Sequence, residues 1–410
     1  MLAVSMKPDN TKISIRQLSR KIAEVCTIFP WYRDLLPARD ITGLEDLPLM
    51  TADILDRYYY SAPVPHAAGV YETSRTSANR RKLISYSARD EQVYLDVKTK
   101  RFAEIIAGTQ IKKGFIDVGV GHVCSTTGTI FERLGLEYRN IDINLPLEEH
   151  IRRLRQFRPG LLYMPPSLID RVLQRISRPD SIGIQKIVPI GEIVSDNWLK
   201  QTAAAFGLQP ADIHMSYGST ETGTMAAYSH ALGKYIMVEG VYAEGVAPAA
   251  IDSSLEPLAA GESILAVTSF NREFFPGLRY VTYDVVRGLD TVRVGGVSRQ
   301  AFDCIHRRVG TEFKHGEKIS MHDIENVVFR HLNKAVVQAR IEDNRLTVGI
   351  LSSGLTDEVL ARISSDIQRA IPEIGIMVDS GLLEHIRVER LAAVEGMATG
   401  TRKKKVLHHR

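Results

Sequence analysis

Cysteine is scarce in this chain. Cys26, Cys124 and Cys304 are the only three in 410 residues, and they lie far apart without paired spacing. That excludes a disulfide framework or a cysteine-ligated zinc site and fits a reducing cytoplasm. No apolar run reaches the roughly 18 residues of a membrane-crossing helix, and the first residues lack a charged-then-apolar signal pattern. Charge of one sign is also missing. The net charge is only +4, and much of it sits in Arg402-Lys403-Lys404-Lys405, so the broad basic face of a nucleic-acid binder is not expected. These absences leave a soluble cytoplasmic protein, monomer or homodimer, with small-molecule partners and neither nucleic acid nor membrane. The length suits two or three domains, and 44% hydrophobic with 24% charged residues is the balance of a globular chain.

Periodicity supplies the organisation. Residues 13–32 and 51–58 read as helices. From residue 88 helical patterns alternate with apolar runs at 114–118, 137–141, 161–164 and 185–190. Such alternation predicts a parallel sheet with helices on its faces. A further helix at 196–206 leads into Asp212-Ile213-His214-Met215-Ser216, which reads as a short strand. Between 235 and 297 the pattern changes to short strands and turns, an antiparallel, barrel-like subdomain. The last hundred residues mix helices at 322–332 and 357–370 with paired strands at 334–341 and 345–351, a small α+β domain.

The densest chemistry lies in Ser216-Tyr217-Gly218-Ser219-Thr220-Glu221-Thr222-Gly223. A tyrosine face suits a nucleotide base, a threonine hydroxyl a phosphate oxygen, and a glutamate a divalent ion. Placed after a strand, the run would lie where open α/β sheets bind ligands. Four other segments accompany it. Thr73-Ser74-Arg75-Thr76-Ser77, followed by Arg80-Arg81-Lys82, is a hydroxyl-rich loop with cations that reads either as a polyphosphate cradle or as a solvated polar loop. Ile190-Gly191-Glu192-Ile193 ends a strand. Arg279-Tyr280-Val281-Thr282-Tyr283-Asp284 places an acid where both ribose hydroxyls of a nucleoside could be accepted. Arg307 precedes Gly316 by nine residues, with Ile324-Glu325 beyond, and Gly400-Thr401-Arg402-Lys403-Lys404 puts mobile cations near the chain end.

In this order the segments resemble the adenylate-forming superfamily of acyl-CoA synthetases and related ligases. The resemblance is closest to the phenylacetate–CoA ligase-like branch and spans most of the chain. It implies a large N-terminal adenylation domain, residues 1–309, with sheets, flanking helices and the barrel-like part, and a small mobile α+β lid, 310–410. The implied activity is ATP- and Mg²⁺-dependent conversion of a carboxylic acid, an aromatic one in this branch, to an acyl-adenylate with release of pyrophosphate. A nucleophile then displaces AMP. Gly316-Glu317-Lys318-Ile319-Ser320 looks like the form found in acid–amine ligases such as indole-acetate–lysine ligase, so an amine is the first-choice acceptor. CoA and a non-catalytic nucleotide-binding relative are the alternatives.

Carried over residue by residue, the resemblance assigns Thr73, Ser74, Thr76 and Ser77 to phosphates, and Gly191, Glu192, Ile193, Ser216, Tyr217 and Gly218 to the nucleotide. Thr220 would hold phosphate during catalysis, Glu221 magnesium, and Asp284 with Arg307 the ribose. Lys403 or Lys404 would bridge carboxylate and phosphate. Ile190 and His122 would line the acyl pocket, His122 being equally readable as a structural histidine near a turn. Arg75 and Ala78 stand where the family loop has glycines. No cysteine follows Asp284 before Cys304, so no structural zinc is expected, and Val309-Gly310 replaces the acidic hinge.

Overall fold

The computed structural model describes residues 13–72, 82–118, 122–142, 145–255, 257–309, 321–342, 345–379, 384, 386–392 and 406–408. The chain folds into two compact units. One comprises residues 1–100 and 216–308, the other 101–215 and 309–410.

The first unit is built around antiparallel sheet. Strands Val241–Val246, Glu262–Ser269, Tyr280–Arg287 and Cys304–Arg308 form one sheet in that order. Asp290–Val294, Val297–Phe302, Lys234–Met237, Gly223–Ser229 and Ser216–Ser219 form a second. The barrel-like subdomain expected from the turn spacing is thus realised as two sheets. The second half of Glu262–Ser269 is buried on both faces, as its run Ile264-Leu265-Ala266-Val267 requires. Helix Ile15–Ile28 opens with a capping box in which Ser14 and Gln17 satisfy each other's backbone donors. It buries Leu18, Lys21, Val25 and Cys26 along one stripe. Phe29, Tyr59, Phe275 and Tyr280 pack edge to face beside that helix.

The second unit carries the predicted parallel sheet. Its strand order is Glu137–Asn140, Lys113–Ile116, Leu161–Met164, Lys186–Pro189, connected by helices His122–Arg133, Leu147–Phe157 and Pro166–Arg175. A mixed sheet runs Arg387–Arg390, Arg345–Leu351, Val336–Glu342, Val406–His408, with helices Met321–His331 and Asp357–Ala370. The end of the chain is not a loose tail throughout. Val406–His408 pairs parallel to Ala339–Ile341, directly after the lysine cluster.

A buried pair absent from the sequence reading closes the central strand of the parallel sheet. Asp117 follows Lys113–Ile116 and meets His150 of the next-but-one crossover, with Oδ2 2.6 Å from Nδ1. The other ring nitrogen faces the Leu145 carbonyl at 3.0 Å. Burial and the nearby Arg171 work against the imidazolium. The hydrogen bond and charge of Asp117 outweigh them and raise the His150 pKa. A raised histidine stabilises the fold below its unfolded pKa, and that contribution is lost as pH climbs through the folded value. Urea unfolding should therefore show stability declining as pH rises above about 6.5, and His150→Gln should flatten the decline. An unchanged slope in the variant would contradict the pair's role.

Candidate active site

The run 216–223 is an antiparallel hairpin and its turn. Of the expected strand at 212–216, Ile213 makes only an isolated parallel bridge to Ile187, and Ser216 begins the next strand. Pro210–Asp212 is instead a 3₁₀ turn capped by Asp212 on the Gln209 amide, and Asp212 is tied to Lys186 at 2.7 Å. The motif is itself the strand Ser216–Ser219, paired with Gly223–Ser229 through a register shift after Tyr217. Two glycines dictate this shape. Gly223 sits at φ +74°, and a Cβ on Gly218 would stand 2.4 Å from the Gly223 carbonyl oxygen. Gly218 is therefore demanded by backbone contact within the hairpin. In the turn, Thr222 donates its amide to the Ser219 hydroxyl at 3.3 Å, and the two hydroxyls lie 3.1 Å apart.

Asp284 reaches this hairpin by a bulge. Opposite the Ile264–Ala266 step, the strand Tyr280–Arg287 accommodates extra residues, and Tyr283 takes φ +62°. The Thr282 hydroxyl stitches the bulge, donating to the Leu265 carbonyl at 2.8 Å and accepting from the Asp284 amide at 3.1 Å. The Tyr283 hydroxyl accepts the Ala52 amide at 3.1 Å. So aimed, Asp284 Oδ2 accepts the Tyr217 hydroxyl at 2.6 Å.

The cation that accompanies Asp284 is Arg308. The strands pair Asp284 with Arg308 and Val285 with Arg307, and directly paired residues share a face while neighbours alternate. Arg308 Nε stands 3.8 Å from Asp284 Oδ1. Its guanidinium also donates to the Thr282 carbonyl at 3.2 Å. Arg307 faces Glu262 at 3.8 Å, away from the acid the sequence assigned to it.

Glu221 completes the cluster. It is 9% exposed, and its charge acts on Tyr59, Tyr60 and Tyr280, on Asp284 and on Arg308. Its carboxylate takes no hydrogen bond from any described residue. Burial raises the Asp284 pKa; Arg308 and the Tyr217 hydroxyl pull it down, Glu221 pushes it up, and the net direction is upward. Asp284 in turn raises Arg308. Tyr217, covered and donating to Asp284, is pushed well above the ordinary phenol range, first by burial.

The remaining predicted residues fall into three groups. Ser216 and Thr220 flank the cluster on the hairpin, both half-buried. Ile190, Gly191, Glu192, Ile193 and His122 belong to the second unit. There Gly191 takes φ +80°. Glu192 caps the helix Pro166–Arg175, accepting the Ser167 amide at 2.8 Å and hydroxyl at 2.7 Å. Ile193 is exposed, and His122 is buried as the first residue of its helix. Thr73, Ser74, Thr76, Ser77, Lys403 and Lys404 lie outside the described residues, as does Gly316. No signal in the sequence marked Arg308 or Tyr60 for this cluster, since their place depends on strand register and on contacts far along the chain.

Comparison with known proteins decides the family. The chain is 33% identical over 382 residues to the fumarate–(S)-2,3-diaminopropanoate ligase of Enterobacter agglomerans, covering 91% of this chain and 94% of that one. It belongs to the fumarate–diaminopropanoate ligase family. The family model for the C-terminal domain of these ligases matches residues 314–393. Among solved structures, a 2-hydroxyisobutyryl-CoA ligase bound to its acyl-adenylate superposes with a TM-score of 0.72 at 13% identity, covering 98% of this chain and 91% of that one. An amide bond synthetase from Marinactinospora thermotolerans gives 0.54 at 12% identity, with 96% and 93% covered. The ligase thus has the mixed α/β fold of the adenylate-forming enzymes. As a member of that family the chain is a ligase.

Two outcomes test this geometry. Gly218→Ala should cost about 1–3 kcal/mol in urea unfolding, as overpacking against backbone does; a variant as stable as the parent would contradict the hairpin. Because Asp284 carries a raised pKa, its ionised form is held at a cost to folding. Asp284→Asn should keep or raise the thermal midpoint while weakening ATP binding at neutral pH. Loss of stability with intact ATP affinity would reverse the assignment.

Proposed function

We propose that this ligase joins one carboxylate of a small dicarboxylic acid of the fumarate kind to the primary amine of an amino acid such as 2,3-diaminopropanoate. The observation that carries the reading is the 33% identity, spanning 91% of the chain, to a ligase of that acid and that amine. A small aliphatic diacid replaces the aromatic acid suggested by the resemblance. The division into an adenylation domain, 1–309, and a lid, 310–410, belongs to the same proposal, supported by the C-terminal-domain match at 314–393. So does a cytoplasmic location, for which the free cysteines speak; no described helix is long and apolar enough to cross a membrane.

In the first half-reaction a carboxylate oxygen attacks the α-phosphorus of ATP, and the bond to the β-phosphate oxygen breaks as pyrophosphate leaves. Two anions must meet, so charge neutralisation and in-line placement dominate the barrier. Asp284 would accept the ribose hydroxyls, with its orientation held by Tyr217 and its charge by Arg308. Tyr217 and its neighbours Ser216 and Gly218 would flank the base. Thr220 would donate to a phosphate oxygen, as would Thr73, Ser74, Thr76 and Ser77, while the resemblance assigns Gly191, Glu192 and Ile193 to the nucleotide. Glu221 suits magnesium: it is a buried carboxylate without a hydrogen-bond donor among the described residues, and magnesium takes one or two carboxylates plus substrate phosphates. Among the described residues no group of three or more His, Cys, Asp or Glu side chains could hold a metal ion. When bound, magnesium would neutralise charge on the phosphates. Lys403 or Lys404 would bridge the acid and the α-phosphate, and Ile190 and His122 would contact the acyl part.

In the second half-reaction the amine lone pair attacks the adenylate carbonyl. AMP leaves with the bonding electrons and the nitrogen loses a proton, giving the amide. AMP release should be measured across a panel of mono- and dicarboxylic acids, each with an amino-acid mixture and then with CoA. Fumarate-like diacids with an amino acid should give the highest rate and an amide product. Thioester formation with CoA and no amide would overturn the acceptor, and monoacids surpassing diacids would overturn the acid. Glu221→Gln should reduce carboxylate-dependent ATP–pyrophosphate exchange by roughly 100-fold or more, the scale of losing one transition-state charge contact. Unaltered exchange would remove Glu221 from the site.

A further inference from the structure

The Thr220-Glu221 turn is held from behind by a buried cation that no motif marks. Arg272, 2% exposed, follows the strand Glu262–Ser269. Its Nε donates to the Glu221 carbonyl at 2.8 Å, and one terminal nitrogen donates to the Ser85 carbonyl at 2.9 Å. The other terminal nitrogen pairs with Asp90, itself 2% exposed. The guanidinium carbon lies over the Tyr86 ring, 3.7 Å from its centroid. Tyr86 takes part in the same support, since its hydroxyl donates to the Thr220 carbonyl at 2.7 Å. Consecutive carbonyls of the turn are therefore each held by a buried donor.

The support is anchored further. Asp90 accepts the Ser87, Glu273 and Phe274 amides at 3.0, 2.6 and 3.0 Å. The buried ammonium of Lys21 donates to the Arg272 carbonyl. A buried ion pair seldom adds net stability over apolar packing. A fork of fixed donors on a catalytic turn, in contrast, sets where a neighbouring side chain points.

We propose that Arg272 and Tyr86 are positioning residues: by fixing the Thr220 and Glu221 carbonyls, they hold the Glu221 carboxylate in the orientation that receives the magnesium–nucleotide complex. This rests on the reading of Glu221 as the magnesium carboxylate. Neither residue touches substrate; both act through the turn. Lysine at 272 would keep the charge opposite Asp90 but lose the planar fork that serves Ser85, Glu221 and Asp90 together. Phenylalanine at 86 would keep the stacked ring and remove only the bond to Thr220.

The experiment compares R272K, Y86F, E221Q and the doubles R272K/E221Q and Y86F/E221Q. ATP affinity is measured by calorimetry with Mg²⁺ and with EDTA, alongside ATP–pyrophosphate exchange and reaction of a preformed acyl-adenylate with amine. Misplacement by about 1 Å can cost roughly 100-fold. R272K should approach that loss in exchange, and Y86F should lose several-fold. Both should forfeit the Mg²⁺-dependent gain in ATP affinity, keep the EDTA affinity and leave the preformed-adenylate reaction unchanged. Each double variant should exchange no worse than E221Q alone. Doubles that lose activity additively, or affinity that falls equally with and without Mg²⁺, would reduce both residues to structural support and overturn the proposal. Should R272K fail to fold, Y86F decides by the same criteria. If E221Q itself exchanges normally, the magnesium assignment fails instead, and the two failures are distinguishable.

Discussion

A carboxylate buried within a sheet is out of reach of bulk water, and its neighbours must compensate. Asp284 meets that constraint with the Tyr217 hydroxyl at 2.6 Å and the Arg308 guanidinium at 3.8 Å, yet its pKa still rises. Much else in the first unit follows from delivering this acid to that phenol. The bulge at Tyr283 turns Asp284 toward the hairpin, Thr282 stitches the bulge, and the paired strand supplies Arg308 on the same face. The hairpin needs Gly218 and Gly223 so that Tyr217 and Glu221 emerge together from one tight turn.

The cluster is of mixed polarity by design of its position. Glu221 and Asp284 repel, Arg308 offsets one of them, and buried phenols surround both. The two acids therefore share one guanidinium, Arg308, on which both of their charges act.

Much of the architecture was legible in the sequence because long periodic segments report burial directly. The helices at Ala88–Ile106, Leu147–Phe157, Asp196–Phe206 and Asp357–Ala370 and the four parallel strands lie where their patterns put them. The hairpin Gly69–Glu72 with Leu83–Tyr86 was not seen, since its half-exposed first strand has no apolar run. At the site, Tyr217, Glu221 and Asp284 were legible because each is chemically distinctive within a short motif, and the structure does gather them. The pairing of Arg308 with Asp284 was not visible in the sequence because a bulge near Asp284 changes register, and register is a tertiary property. Glu192 has its carboxylate engaged at the Pro166–Arg175 helix start, a use that no local pattern announced. Arg272 and Asp90 were invisible for a related reason: their partners lie nearly two hundred residues apart in sequence.

The most direct test of the central claim is a crystal structure of the ligase with a non-reactive acyl-adenylate mimic, a fumaroyl sulfamoyl-adenosine. The account predicts the ribose hydroxyls within about 3 Å of Asp284, the base beside Tyr217 and the sulfamoyl group toward Glu221. An adenosine bound away from those three side chains would contradict it.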